Sequence, residues 1–197
     1  MVKELVIAAY DRDYNWVENI ARNVKITPYR KGSKPPNSGE ILIKPNVGRD
    51  VHTFFYHLWV NYDNLADITF FSQDYPFDHV SNYIEVINSP SEDLEKYANQ
   101  SKSGCWFFCT QYGVLTCTKN GFPHHPGLDL EKIWGELFNS PCPNSFQFTP
   151  TGHFAISKEY AQKIPRSRYK KILTILESQP TSPWEIERLE PYIFDVI

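Results

Sequence analysis

The run from Asn46 to His79 most constrains what this chain can fold into. It opens with Asn46-Val47-Gly48-Arg49-Asp50 and closes with Ile68-Thr69-Phe70-Phe71-Ser72-Gln73-Asp74-Tyr75-Pro76-Phe77-Asp78-His79. Pro45-Asn46-Val47-Gly48 is turn chemistry, because Pro fixes φ while Asn and Gly tolerate unusual backbone angles. Val51, Phe54, Phe55, Leu58 and Tyr62 then recur at helical spacing, which predicts an amphipathic helix ending near Asn64. Ile68 to Phe71 reads as a buried strand, so Ser72-Gln73-Asp74 begins where that strand leaves the core. In an open α/β sheet, ligands collect at the carboxyl ends of strands. Asp74 and Asp78 are therefore the first candidates for chemistry.

The rest of the chain repeats this alternation. Leu5-Val6-Ile7-Ala8-Ala9 is apolar throughout, as a strand buried on both faces should be. The polar stretch from Asp11 to Asn15 leads into Trp16, Val17 and Ile20, which predict a helix. Val24 to Pro28 and Ile41 to Ile43 read as strands, with the Gly-, Pro- and Ser-rich segment from Arg30 to Gly39 between them as an exposed loop of solvated basic residues. Strands are expected at Cys105–Thr110, Val114–Thr118 and His153–Ser157, and a helix over Asp129–Phe138. Another is expected to begin around His79, with Asp78 as its alternative cap. Ser89-Pro90-Ser91-Glu92 and Ser182-Pro183-Trp184-Glu185 both read as capping boxes, and the tail as mainly helical. Strands alternating with helices over 197 residues predict one α/β domain of three layers, either complete or part of a longer protein.

Composition excludes several classes. With a net charge of −3 and no basic stripe among its aromatics, the chain has no footprint for a nucleic-acid polymer. No apolar run approaches the ~18 residues a membrane helix needs, and the N-terminus lacks secretory-signal grammar, so the expectation is a cytoplasmic protein without a membrane span. Cys105, Cys109, Cys117 and Cys142 have no paired metal spacing and are expected as reduced thiols.

A first strand with a polar exit, an Asn-x-Gly turn opening a helix, and a strand ending in an acidic motif together resemble the GT-A glycosyltransferases. The more specific likeness is to a GT-A-like family carrying Asn-x-Gly-Arg-Asp/Glu and Phe-x-Gln-x-x-Pro-x-Asp-His. Here these are Asn46-Val47-Gly48-Arg49-Asp50 and Phe71-Ser72-Gln73-Asp74-Tyr75-Pro76-Phe77-Asp78-His79. Gly152-His153-Phe154-Ala155-Ile156-Ser157 and Pro165 to Tyr169 extend it over most of the chain, and the likeness includes glycosyltransferases that large algal viruses use on capsid glycans. The resemblance implies a three-layer GT-A-like fold with a central, mostly parallel sheet flanked by helices. It implies transfer of a hexose or deoxyhexose from a UDP-sugar to a hydroxyl of a glycan or glycoprotein, in the host cytoplasm if the chain is viral.

It also implies roles. GT-A enzymes usually present Asp-x-Asp at this strand end to hold Mn²⁺ or Mg²⁺ against the donor diphosphate; Ser72-Gln73-Asp74 keeps only the second carboxylate in register. The metal set implied is Asp74 with Asp78 or His153, and Mn²⁺ suits a mixture of carboxylate and imidazole. Tyr10 and Arg12, leaving the first strand, are placed at the nucleotide. Asn46, Arg49, Asp50 and Gln73 are placed around the donor, with Arg49 offering its planar fork to phosphate. Asp78 and His79 stand as catalytic candidates on the acceptor side. Other readings stay open: Tyr10 as core, Arg49 in a surface ion pair, His153 as a structural histidine, and the whole chain as a non-catalytic nucleotide- or carbohydrate-binding module. A phosphoesterase is disfavoured by the absence of a dense Asp/His cluster. His124 and His125 read as a turn, and Trp106-Phe107-Phe108, Trp134 and Trp184 as packing.

Overall fold

The computed structural model describes residues 1–32, 35–43, 46–150 and 152–197. The apolar run at the N-terminus forms β1 (Lys3–Ala9), buried from Glu4 onward. It is followed by β2 (Val24–Arg30), β3 (Ile41–Leu42), β4 (Ile68–Gln73), β5 (Gln100–Lys102), β6 (Cys105–Phe107), β7 (Leu115–Thr118), β8 (Ser145–Phe148) and β9 (Phe154–Ser157). The helices are α1 (Arg49–Val60), α2 (Tyr83–Asn88), α3 (Leu130–Leu137), α4 (Lys158–Ala161), α5 (Arg166–Ser178) and α6 (Ser182–Ile193). Seven strands make one sheet in the order β3-β2-β1-β4-β9-β6-β5, while β7 and β8 pair separately.

The expectation of a mostly parallel sheet holds for the β3-β2-β1-β4 half only. Beyond β4 the sheet is antiparallel, since β9 runs against β4 and β6, and β5 and β6 form a hairpin turned by Gly104 at φ 104°. The sheet is thus mixed, with a core on each face. Alternation along the strands sends Val6, Ala8, Phe71, Phe154 and Ile156 to one face, against α1, α5 and α6. It sends Leu5, Ile7, Ile68, Phe70 and Ala155 to the other, against Ile20, Val80, Tyr83, Val86 and Ile87. The two connections that leave opposite sides of β1 explain this. β1 to β2 moves one way across the sheet and β3 to β4 the other, so right-handed crossovers must cover opposite faces.

Several local expectations are corrected. The segment after Asp13 makes only a 3-10 helix over Asn15–Asn19, because the Asp13 carboxylate accepts the Asn15 N–H at 2.9 Å and competes with helical bonding. The helix expected near His79 begins at Tyr83; the 76–80 segment is a turn in which the N–H groups of His79 and Val80 both donate to the Pro76 carbonyl. Asp78 therefore caps no helix. Neither capping box forms: Ser89 Oγ donates back to the Val86 carbonyl, and Ser182 Oγ to that of Gln179, so each hydroxyl closes the preceding turn. Arg30 and Lys31, expected in solvent, are buried. Pro45, and Ser33 and Lys34 of the expected exposed loop, lie outside the described residues. All four cysteines are free thiols. Among the described residues, no helix is long and apolar enough to cross a membrane.

Candidate functional site

Between β1 and β4 the strand order reverses, and that is where a crevice must open at the strand ends. A cleft of about 490 Å³ lies there. β1 supplies Ala8, Ala9 and, just beyond it, Tyr10; β4 supplies Gln73 and Asp74; the turn into α1 supplies Asn46 to Asp50; Lys31 follows β2. Six of the residues implied by the resemblance thus meet at one place: Tyr10, Asn46, Arg49, Asp50, Gln73 and Asp74.

Hydrogen bonds explain why this rim holds its shape. Asp74 is buried, and its Oδ2 accepts the backbone N–H groups of Tyr10 at 3.1 Å and Arg12 at 3.2 Å. Its own carbonyl accepts Trp16 Nε1–H at 2.7 Å, so one residue organises the whole exit from β1. Gln73 Nε2 donates to Asp50 Oδ2 at 2.7 Å and ties β4 to the first turn of α1. That helix starts after Gly48, at φ 68°, with no side-chain cap, so its leading N–H groups are open to a ligand. Arg49, the next residue, also holds positive φ, at 51°, a conformation non-glycine residues take only when surroundings impose it. Its guanidinium lies 5.1 Å from the Trp184 ring centre.

Behind the rim, Arg30 bonds both carboxylate oxygens of Glu40 and the Tyr10 carbonyl, in a pair almost wholly shielded from solvent. The guanidinium holds Glu40 down to about pKa 2. Next to it, Lys31 Nζ donates to the carbonyls of Val47 at 2.5 Å and Arg49 at 2.8 Å, and burial lowers its pKa to about 7 although Asp50 and Glu177 pull it upward. Gly32 passes so close to Tyr10 that an added Cβ would sit 2.3 Å from the Tyr10 carbonyl oxygen. Sequence reasoning missed Arg30, Lys31 and Gly32 because their Gly/Pro/Ser context reads as solvent loop. The available signal was their place at the carboxyl end of a strand.

The remaining candidates lie outside the cleft lining. Arg12 Nη1 pairs with Asp78 Oδ2 at 3.1 Å on the surface and its guanidinium covers Tyr75 at 5.5 Å. His79 Nδ1 is 3.3 Å from Gln111 Oε1. His153 is fully buried, its ring 5.4 Å from that of Tyr83 and 6.0 Å from that of His79. Among the described residues, no three His, Cys, Asp or Glu side chains gather as a metal site. Asp78 is paired with Arg12 at the surface and His153 is packed among rings, so neither lines the cleft beside Asp74, whose Oδ2 accepts two N–H groups.

No curated protein and no solved structure matches the chain. Residues 5–197 match a family model, so the chain belongs to the family described as "Protein of unknown function (DUF3431)".

Proposed function

We propose that this protein is a GT-A-like glycosyltransferase that binds a UDP-sugar in the cleft between β1 and β4 and passes the sugar to a glycan hydroxyl. The observation that carries this reading is the composition of that cleft. An exposed ring, Tyr10, stands at the end of β1, where it can stack on a base. An uncapped helix start with Arg49 stands opposite, where backbone N–H groups and a planar cation suit a diphosphate. The Arg12–Asp78 pair and His79 adjoin this rim through the Arg12 backbone held by Asp74. In the transfer, the acceptor oxygen bonds to the anomeric carbon as the bond from that carbon to the diphosphate oxygen breaks. The acceptor's proton passes to Asp78 or His79, and the pair of electrons leaves with UDP.

Isothermal calorimetry with UDP, with and without Mn²⁺ or Mg²⁺, tests the donor site, and transfer from UDP-sugars to glycan acceptors tests the reaction. Absence of UDP binding under every condition would sink the reading. The position of Asp78 and His153 outside the cleft lining favours a second reading, a nucleotide- or carbohydrate-binding module on the same fold. Tight UDP binding without donor hydrolysis or transfer would select it.

A further inference from the structure

Two buried cations stand side by side at the end of β2, and among the described residues only Arg30 forms a close ion pair. Arg30 is neutralised by Glu40. Lys31, 5% exposed, gives two of its protons to main-chain carbonyls, and among the described residues no carboxylate oxygen lies within 4.0 Å of its Nζ. Asp50, whose charge pulls the Lys31 pKa upward, accepts a hydrogen bond from Gln73 on Oδ2. Buried charges are ordinarily paired, because leaving water without a compensating charge is costly. Here the unpaired ammonium lines a cleft rather than the closed core. The carbonyls it holds belong to Val47 and Arg49, the residues flanking Gly48, so the same side chain positions the uncapped start of α1. A lysine and open helical N–H groups facing one cavity are the elements of a phosphate site.

We propose that Lys31 is the phosphate-binding cation of the cleft, its missing counter-charge being supplied by the diphosphate of the bound nucleotide. The inference rests on the donor reading above for the identity of the nucleotide, but the anion site stands on its own geometry. It also couples binding to a proton. Asp50 and His52 of α1, Arg49 at its start, Glu177 of α5, Asp74 beyond β4, Asp11 after β1 and the Arg30–Glu40 pair surround this region. Burial outweighs the upward pull of Asp50 and Glu177 and leaves the free lysine titrating at about 7. A phosphate dianion raises that value, so above pH 7 binding must take up a proton. Affinity should fall as pH rises from about 7 to about 9, approaching tenfold per unit. The terminal phosphate, with a pKa of about 6, is already ionised there.

Calorimetry of UDP, inorganic pyrophosphate and uridine across pH 7 to 9, in buffers of different ionisation enthalpy, tests this on the full chain. For the native protein, UDP and pyrophosphate should weaken with pH and take up close to one proton, whereas uridine should show no slope. Lys31→Arg should keep phosphate binding and lose the slope. Lys31→Met should lose at least tenfold in UDP and pyrophosphate affinity while keeping uridine affinity. An undiminished slope in Lys31→Arg would overturn the proposal. So would parallel loss of uridine and UDP in a folded Lys31→Met, which would make Lys31 a brace for the turn. Native protein that binds pyrophosphate through Lys31 but shows no preference for UDP would refute the donor reading alone. UDP binding indifferent to Lys31 would refute the anion site alone.

Discussion

Asp74 Oδ2 lies 3.1 Å from the Tyr10 backbone nitrogen, so the carboxylate that sequence places at the tip of β4 holds the exit of β1 in position. With the Arg12 N–H it stabilises two otherwise unpaired donors. Asp74→Ala should cost about 1–3 kcal/mol, the usual penalty for unsatisfied, partly buried polar groups. Asp74→Asn, which keeps one acceptor oxygen, should cost less. Chemical denaturation of the two variants measures the difference, and both should lose UDP affinity.

Gly32 faces the Tyr10 carbonyl across a gap that no side chain fits. Gly32→Ala must push the β1 exit and the β2 exit apart, a loss of about 1–3 kcal/mol by analogy with overpacked cores. Ligand affinity should fall with it. A variant as stable as the native protein would show that the loop yields freely.

The Arg30–Glu40 pair predicts one branch of the acid response. Glu40 is depressed from 4.5 to about 2, so its contribution is full above about pH 4.5 and is lost as pH falls toward 2. Glu40→Ala should cost about 3–5 kcal/mol at neutral pH by stranding Arg30. Urea midpoints at pH 7, 5 and 3 should show the native decline below pH 4.5 and a flatter profile in the variant.

His52 and His57 predict an earlier branch. Burial lowers both to about 4, with His57 held between Tyr29 and Glu4. Because the folded state disfavours their protonation, the stability they confer is present above about pH 6.5 and declines as pH falls toward 4. Each contributes on the order of 2–3 kcal/mol to that decline. His57→Gln should remove part of the slope between pH 6.5 and 4 and leave the slope below it unchanged.

Asp78 separates acceptor chemistry from donor binding. Its pair with Arg12 is exposed and worth no more than about 1 kcal/mol. Asp78→Asn should therefore fold normally and bind UDP like the native protein, with transfer reduced at least tenfold. Unchanged transfer would leave His79 as the proton acceptor.

The central part of the site was readable because strand ends and helix starts announce themselves locally. Val51, Phe54, Phe55 and Leu58 mark the buried face of α1, and the polarity change from Phe71 to Gln73 marks where β4 approaches its end. What escaped depended on partners distant in sequence. Lys31 reads as solvent-exposed until Val47 and Arg49 close over it, and the β8 alternation of Phe146 and Phe148 gains a partner only when β7 lies beside it. The antiparallel half of the sheet was hidden likewise, since β9 pairs with β4 some 85 residues upstream.

By itself the sequence determined periodicity: which residues alternate, which recur at helical spacing, and which glycines and polar residues end the elements. Those are short-range consequences of backbone geometry. Only the tertiary structure decided that Asp74 braces Tyr10, that Asp78 turns to Arg12, that His153 is packed away, and that Lys31 lines the cleft with no close ion pair among the described residues. Charge pairing and burial belong to the assembled chain, because each depends on what another segment brings within a few ångströms.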